Sequence, residues 1–171
     1  MPGGTRLEAT FKVSNKNERK NMAGTFSQVY IHAIFSTKNR QNDLLPELKK
    51  QIYNYICGIV KNTDGYVYSI GGTANHIHIL FSCSPKVSIS EMLKDIKGSS
   101  SKWINSNFQL QNKFQWQVGF GAFSVSQSQL AAVSKYIESQ EKHHKTLSFK
   151  DEFRALLIKH NISFDEKYIW N

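Results

Sequence analysis

Acidic residues are scarce in this chain: 13 Asp and Glu stand against 22 Lys and Arg in 171 residues, a formal net charge of +9 with histidine neutral. That imbalance points to a polyanionic partner, with nucleic acid ahead of a membrane surface because the lysines are spread along the chain rather than gathered on one amphipathic helix. Cysteine is nearly absent. Cys57 and Cys83 sit in apolar segments without CxxC or zinc-type spacing, which argues against a disulfide framework and predicts two buried free thiols. No run of 18 apolar residues occurs, and the first residues lack the apolar core of a secretory signal, so the expectation is a cytoplasmic protein without a membrane segment. With only 3 prolines and 10 glycines but 12% aromatics and 40% hydrophobic residues, the chain is no low-complexity or disordered sequence. Its length suits one domain with one core.

Residues 1–21 are polar and aperiodic, and carry five basic and two acidic residues, so removing them lowers the net charge from +9 to +6. They are expected to be a flexible N-terminal extension, with a single domain over 22–171. From Phe26 the alternation of Val29, Ile31, Ala33 and Phe35 with Gln28, Tyr30, His32 and Ile34 predicts a strand packed chiefly on one face. Leu48, Ile52, Tyr55, Ile56, Ile59 and Val60 recur at helical spacing. Tyr66 to Ile70 and His76 to Ser82 read as a hairpin punctuated by Gly71 and Gly72, and Ser88-Ile-Ser-Glu91 has the form of a capping box ahead of a second helix that is weakened by polar Gly98 to Ser101. A fourth strand is expected over Phe114 to Ser126, with Trp116, Val118, Phe120 and Ala122 on one side and Gly119 and Gly121 permitting a bulge or close approach. Ser128 to His144 and Phe149 to His160 read as two further helices. The order is that of an α+β, ferredoxin-like or RRM-like βαββαβ antiparallel sheet with helices on one face and additional C-terminal helices.

Chemistry concentrates at His76-Ile77-His78. On a strand, Ile77 and Ile79 face the helix-covered core while both imidazoles share the opposite, open face, close enough to ligate one divalent ion. By itself His-x-His is more often a pair of partly exposed strand histidines with no metal. On the third helix Leu130, Val133 and Ile137 form an apolar stripe, and Tyr136 and Gln140, four residues apart, share an adjacent edge. The Gln140 oxygen is suited to complete a His, His, Gln metal site, with Tyr136 one turn away.

Five segments in order, SQVYIHAIFSTKNR at Ser27 to Arg40, NHIHIL at Asn75 to Leu80, KDIKGSSSKW at Lys94 to Trp103, WQVGFGAFS at Trp116 to Ser124 and YIESQEKHHK at Tyr136 to Lys145, strongly resemble the single-tyrosine HUH transposases of bacterial insertion sequences. The resemblance implies that His76, His78 and Gln140 hold a divalent metal, Mg²⁺ or Mn²⁺, and that Tyr136 is the nucleophile. It implies cutting and rejoining of single-stranded DNA at subterminal hairpins, by homodimers in which Tyr136 serves the partner chain's histidines. Asn75 departs from the Asp common in the family before the first histidine, which removes a formal charge beside the metal. An unperturbed phenol is a poor nucleophile at neutral pH, so attack on a phosphodiester needs charge neutralisation at the non-bridging oxygens. His143 and His144 at the helix end are expected to be dipole partners or solvent-facing residues outside the metal site. Ser99 to Ser101 and Lys102 suit either phosphate contacts or a plain polar helix face. The alternative function is a non-catalytic RRM-like nucleic-acid-binding module, which would need aromatic residues where the histidines stand.

Overall fold

The computed structural model describes residues 26–170, so the expected N-terminal extension lies outside the described residues. Four strands, β1 (Val29–Ser36), β2 (Tyr66–Gly72), β3 (His76–Cys83) and β4 (Gly121–Val125), form one sheet in the order β2-β3-β1-β4. All neighbours are antiparallel, with β1 and β3 paired over eight positions from Val29↔Cys83 to Ser36↔His76. Helices α1 (Pro46–Asn62) and α2 (Ile89–Asn107) cover one face. Pro46 starts α1 where its missing N–H costs nothing. The capping box of α2 forms as expected: Glu91 N donates to Ser88 Oγ at 3.2 Å and Ser88 N to Glu91 Oε2 at 3.1 Å. Ile31, Ala33 and Phe35 of β1 and Ile77, Ile79 and Phe81 of β3 meet Ile52, Ile56, Leu93 and Ile96 of these helices in the main core. This is the expected βαββαβ architecture.

Three local expectations need correction. The second face of the sheet is not open, because α3 (Leu130–Glu138), α4 (Gln140–His143) and α5 (Phe149–Lys159) cover it, and so Tyr30, His32 and Ile34 are as buried as their neighbours on β1. A second, smaller cluster of Ile34, Phe123, Leu156 and Leu157 seats α5 there. The fourth strand is shorter than its alternation suggests. Trp116 turns inward against Phe35 and Phe114, at ring distances of 4.9 and 4.8 Å, and donates Nε1–H to Ser100 Oγ at 2.9 Å; this buried contact also accounts for the polar middle of α2. Beyond it Gly119 adopts φ +82°, a left-handed turn that leaves Val118 83% exposed and delays the ladder to Gly121. The third helix breaks at Ser139 (φ −94°, ψ 7°), whose hydroxyl donates to Tyr136 O at 3.0 Å and competes with the backbone pattern. Cys83 is buried and Cys57 only partly so, and neither is bridged.

Candidate metal and nucleophile site

His76 and His78 lie two apart on β3, both fully buried, on the face covered by α3 to α5. Each is oriented from behind. His76 Nδ1 lies 2.7 Å from Asn75 Oδ1 and 2.9 Å from Thr73 Oγ1, so its Nδ1–H has acceptors and its Nε2 carries the lone pair. The Asn75 amide oxygen thus does the orienting job available to a carboxylate, without its charge. His78 Nδ1 lies 2.9 Å from His32 Nε2, with the two rings stacked at 5.2 Å, which likewise frees His78 Nε2. Burial keeps these rings neutral: it lowers the pKa of His32 to about 3 and of His76 to about 4, and lowers that of His78 as well.

The helices bring the remaining groups. Gly71 of β2, paired with His78, allows α3 to lie directly on the sheet, since a Cβ there would stand 2.6 Å from Ile137 O. Tyr136 is thereby delivered with its ring 5.7 Å from that of His78. The break at Ser139 then turns α4 so that Gln140 is buried against the same site. Ser148 caps α5, accepting from Asp151 N at 3.2 Å, and one turn in, Glu152 is buried at the centre of the cluster.

Glu152 is the hub. Its Oε2 lies 2.8 Å from His144 Nε2, 3.3 Å from His78 Nε2 and 3.5 Å from His76 Nε2. Its Oε1 accepts the Tyr136 hydroxyl and, at 2.8 Å, the Gln140 Nε2 amide. Burial alone would raise the Glu152 pKa, but its contacts with His144, His76 and His78 outweigh that and hold it well below the usual carboxylate range. Burial, reinforced by the Glu152 carboxylate, pushes the Tyr136 phenol well above its ordinary value.

The arrangement fits a cation. One donor atom from each of His76, His78, His144 and Glu152 lies within 4.8 Å of all the others, a spacing of the order found across a shell of bonds about 2.1 Å long. His76 Nε2 and Gln140 Oε1 are buried with no hydrogen-bond partner, and an ion placed among these donors would engage both. The structure therefore brings together all four residues expected from the sequence, His76, His78, Tyr136 and Gln140. It corrects one expectation: His144 belongs to the cluster, while His143 sits beside it with its ring 5.5 Å from that of Tyr136. Sequence reasoning missed Glu152 altogether. One signal pointed to it, since Glu152 is an acid within the apolar stripe of Phe149, Phe153, Leu156 and Leu157, just as the four-residue recurrence of Tyr136, Gln140 and His144 pointed to His144.

A βαββαβ sheet whose third strand presents paired histidines to a tyrosine-bearing helix defines a class of proteins that act on phosphodiesters through a tyrosine. Residues 25–140 match the family model described as "Transposase IS200 like", and the chain belongs to that family of single-tyrosine transposases. It is 27% identical over 128 residues to the ISDra2 transposase TnpA of Deinococcus radiodurans, covering 72% of this chain and 91% of that one. It is 23% identical over 133 residues to the transposase for insertion sequence element IS200 of Salmonella typhimurium, covering 75% and 87% respectively. Two solved structures share the fold. A putative transposase from Deinococcus radiodurans superposes with a TM-score of 0.57 at 23% identity, over 71% of this chain and 97% of that one. A REP-associated tyrosine transposase bound to a REP hairpin does so at 0.55 and 14% identity, over 78% and 76%. The RRM-like alternative is set aside by the family match. No helix among the described residues is long and apolar enough to cross a membrane.

Proposed function

We propose that this chain cuts and rejoins single-stranded DNA at the hairpin-bearing ends of an insertion sequence, with Tyr136 as nucleophile and His76, His78, His144 and Glu152 as metal ligands. The convergence of the Tyr136 hydroxyl and three imidazoles on one buried carboxylate carries this reading. In it, Gln140 orients Glu152 and stands ready to offer its unpartnered Oε1 as a further ligand.

An ion held by His76, His78, His144 and Glu152 would supply positive charge to the non-bridging oxygens of the phosphodiester. Tyr136 Oη attacks phosphorus in line with the leaving 3′-oxygen; the new bond is a 5′-phosphotyrosine, and the bond broken frees a 3′-hydroxyl. The phenolic proton is already directed at Glu152 Oε1, its nearest acceptor. Attack by a second 3′-hydroxyl reverses the step and joins new ends, so no nucleotide cofactor is consumed. Imidazole-rich donors favour Mn²⁺ over Mg²⁺, which prefers a shell of oxygens.

Homodimerisation belongs to this reading because two ends must be held together. The resemblance implies that Tyr136 works in trans, but its contacts with the histidine cluster of its own chain support cis pairing equally. Mixing Tyr136→Phe subunits with His76→Ala/His78→Ala subunits discriminates: trans sites restore activity in heterodimers, and cis sites restore none at any ratio.

The function itself is tested with single-stranded oligonucleotides tiled across the DNA flanking the gene. Wild-type protein with Mn²⁺ is expected to give a covalent protein–DNA band that EDTA abolishes. Tyr136→Phe, which removes only the phenolic oxygen, should bind the same oligonucleotide and give no band. A band that persists in that variant overturns the assignment of the nucleophile.

A further inference from the structure

A second feature lies beside the histidine cluster, on the part of the chain beyond residue 140 where the family match ends. From His76 a file of rings leads outward: Phe149 at 4.9 Å, Phe153 at a further 5.7 Å and Trp170 at a further 6.1 Å. Around the Trp170 ring stand three cations, Lys150 and Arg154 at 5.1 Å and Arg40 at 6.0 Å from its centroid. Arg154 is neutralised by Glu166 and Asp151, and Glu166 is further engaged by Trp170 Nε1. Among the described residues, no carboxylate lies within ion-pair distance of Arg40 or Lys150.

Arg40 is held there at a backbone cost. Asn39 and Arg40 both take positive φ, 55° and 59°, consecutive left-handed positions that non-glycine residues seldom share. The turn is pinned to the loop before β4 by Asn39 N donating to Gln117 Oε1 at 2.9 Å and Lys38 Nζ donating to Gln115 Oε1 at 2.8 Å. Between this turn, that loop and α5 runs a shallow cleft with about 30 Å³ of free space, floored by Ser36, the β1 residue paired with His76. It is too small to engulf a base, so it suits a strand passing over its mouth. Its rim carries exposed Val118 and Phe120, at 83% and 38%.

We propose that this cleft is a subsite for the unpaired DNA strand next to the scissile phosphate, with Arg40 and Lys150 each holding a backbone phosphate and a base resting on the Val118–Phe120 rim. The proposal rests on the reading of the histidine cluster as a phosphodiester site, because a strand whose phosphate lies there must leave it in some direction. Arg40 lines the cleft, and Lys150 stands beside it over the ring of Trp170, which also lines it. Phosphate contacts of this kind hold the strand in register without reading its sequence.

The test is a salt titration of full-length protein with a fluorescein-labelled oligothymidylate of about 20 nucleotides, followed by anisotropy. Arg40→Gln/Lys150→Gln is expected to weaken binding and to flatten the slope of log K against log salt by about 1.4, or ~0.7 for each phosphate no longer neutralised. The charge-matched control Lys50→Gln/Lys61→Gln, on α1 across the sheet, is expected to leave the slope unchanged. The single variants Arg40→Gln and Lys150→Gln, each expected to flatten it by about half as much, cover the case in which the double variant melts early. An unchanged slope in the cleft variants, or an equal loss in the control, overturns the subsite. The covalent band with Tyr136 is scored separately on wild-type protein, so failure of the subsite and failure of the catalytic reading are distinguishable.

Discussion

The two halves of the site are built differently. His76 and His78 ride on β3, a strand hydrogen-bonded on both sides, and their rear nitrogens are fixed by Asn75 and His32. Tyr136, Gln140 and Glu152 ride on three short helices, with His144 at the end of the second, and these are interrupted at Ser139 and again between His144 and Ser148; α5 is seated by a small cluster around Ile34 and Phe123. The strand half is preorganised by the main core, so its donors hold their positions whatever the DNA does. The helix half depends on fewer buried contacts and is the part able to shift when a strand enters, an order of local stabilities expected where cooperative packing is thinnest. In the proposed reaction Tyr136 must let go of one DNA end and accept another, and it rides on the less firmly packed half.

Removing one member from each half probes the division most severely. His78→Ala is expected to abolish covalent-band formation at any Mn²⁺ concentration, because nothing else on the sheet is able to take its place. Glu152→Gln keeps the shape and the hydrogen bond from Tyr136 but loses the charge, and is expected to lower band formation with partial recovery at high Mn²⁺. Equal losses, without metal recovery in the second, would erase the distinction between the halves. Next in size is Gly71→Ala. The added Cβ would press on Ile137 O and lift α3 from the sheet, and misplacing a nucleophile by about 1 Å costs on the order of 100-fold in rate. Single-turnover kinetics at saturating DNA should show that loss with binding nearly unchanged.

How far the sequence revealed this division follows the same line. The strand pattern of β3 exposed the strand half, because a strand puts His76 and His78 on one face whatever surrounds it. The helix half was only half legible: Tyr136 and Gln140 were found on one edge, but the break at Ser139 and the return of α5 are tertiary choices that no local pattern announces. His144 looked like an ordinary helix-end histidine, and Glu152 like one more charge on a C-terminal helix. The covered second face of the sheet was missed for the same reason, since β1 carries its apolar residues on both sides and its alternation is weak.

The smallest expected effect concerns pH. With His32 and His76 shifted from 6.5 to about 3 and about 4, mainly by burial, the unfolded chain binds protons at these positions before the folded one does. Their contribution to stability is fully present above pH 6.5 and is lost as pH falls from there towards 4 for His76 and towards 3 for His32. Thermal melts of EDTA-treated protein should show Tm declining across that window, and His32→Gln should flatten the decline.

The central claim is that the strand-borne histidines and the helix-borne groups enclose a single ion next to Tyr136. Anomalous diffraction from crystals grown with Mn²⁺ tests it most directly. The account predicts one strong peak about 2.1 Å from Nε2 of His76, His78 and His144 and from Glu152 Oε2, with the Tyr136 oxygen in the adjoining position. No peak at these residues, or a peak bound by groups remote from Tyr136, would contradict it.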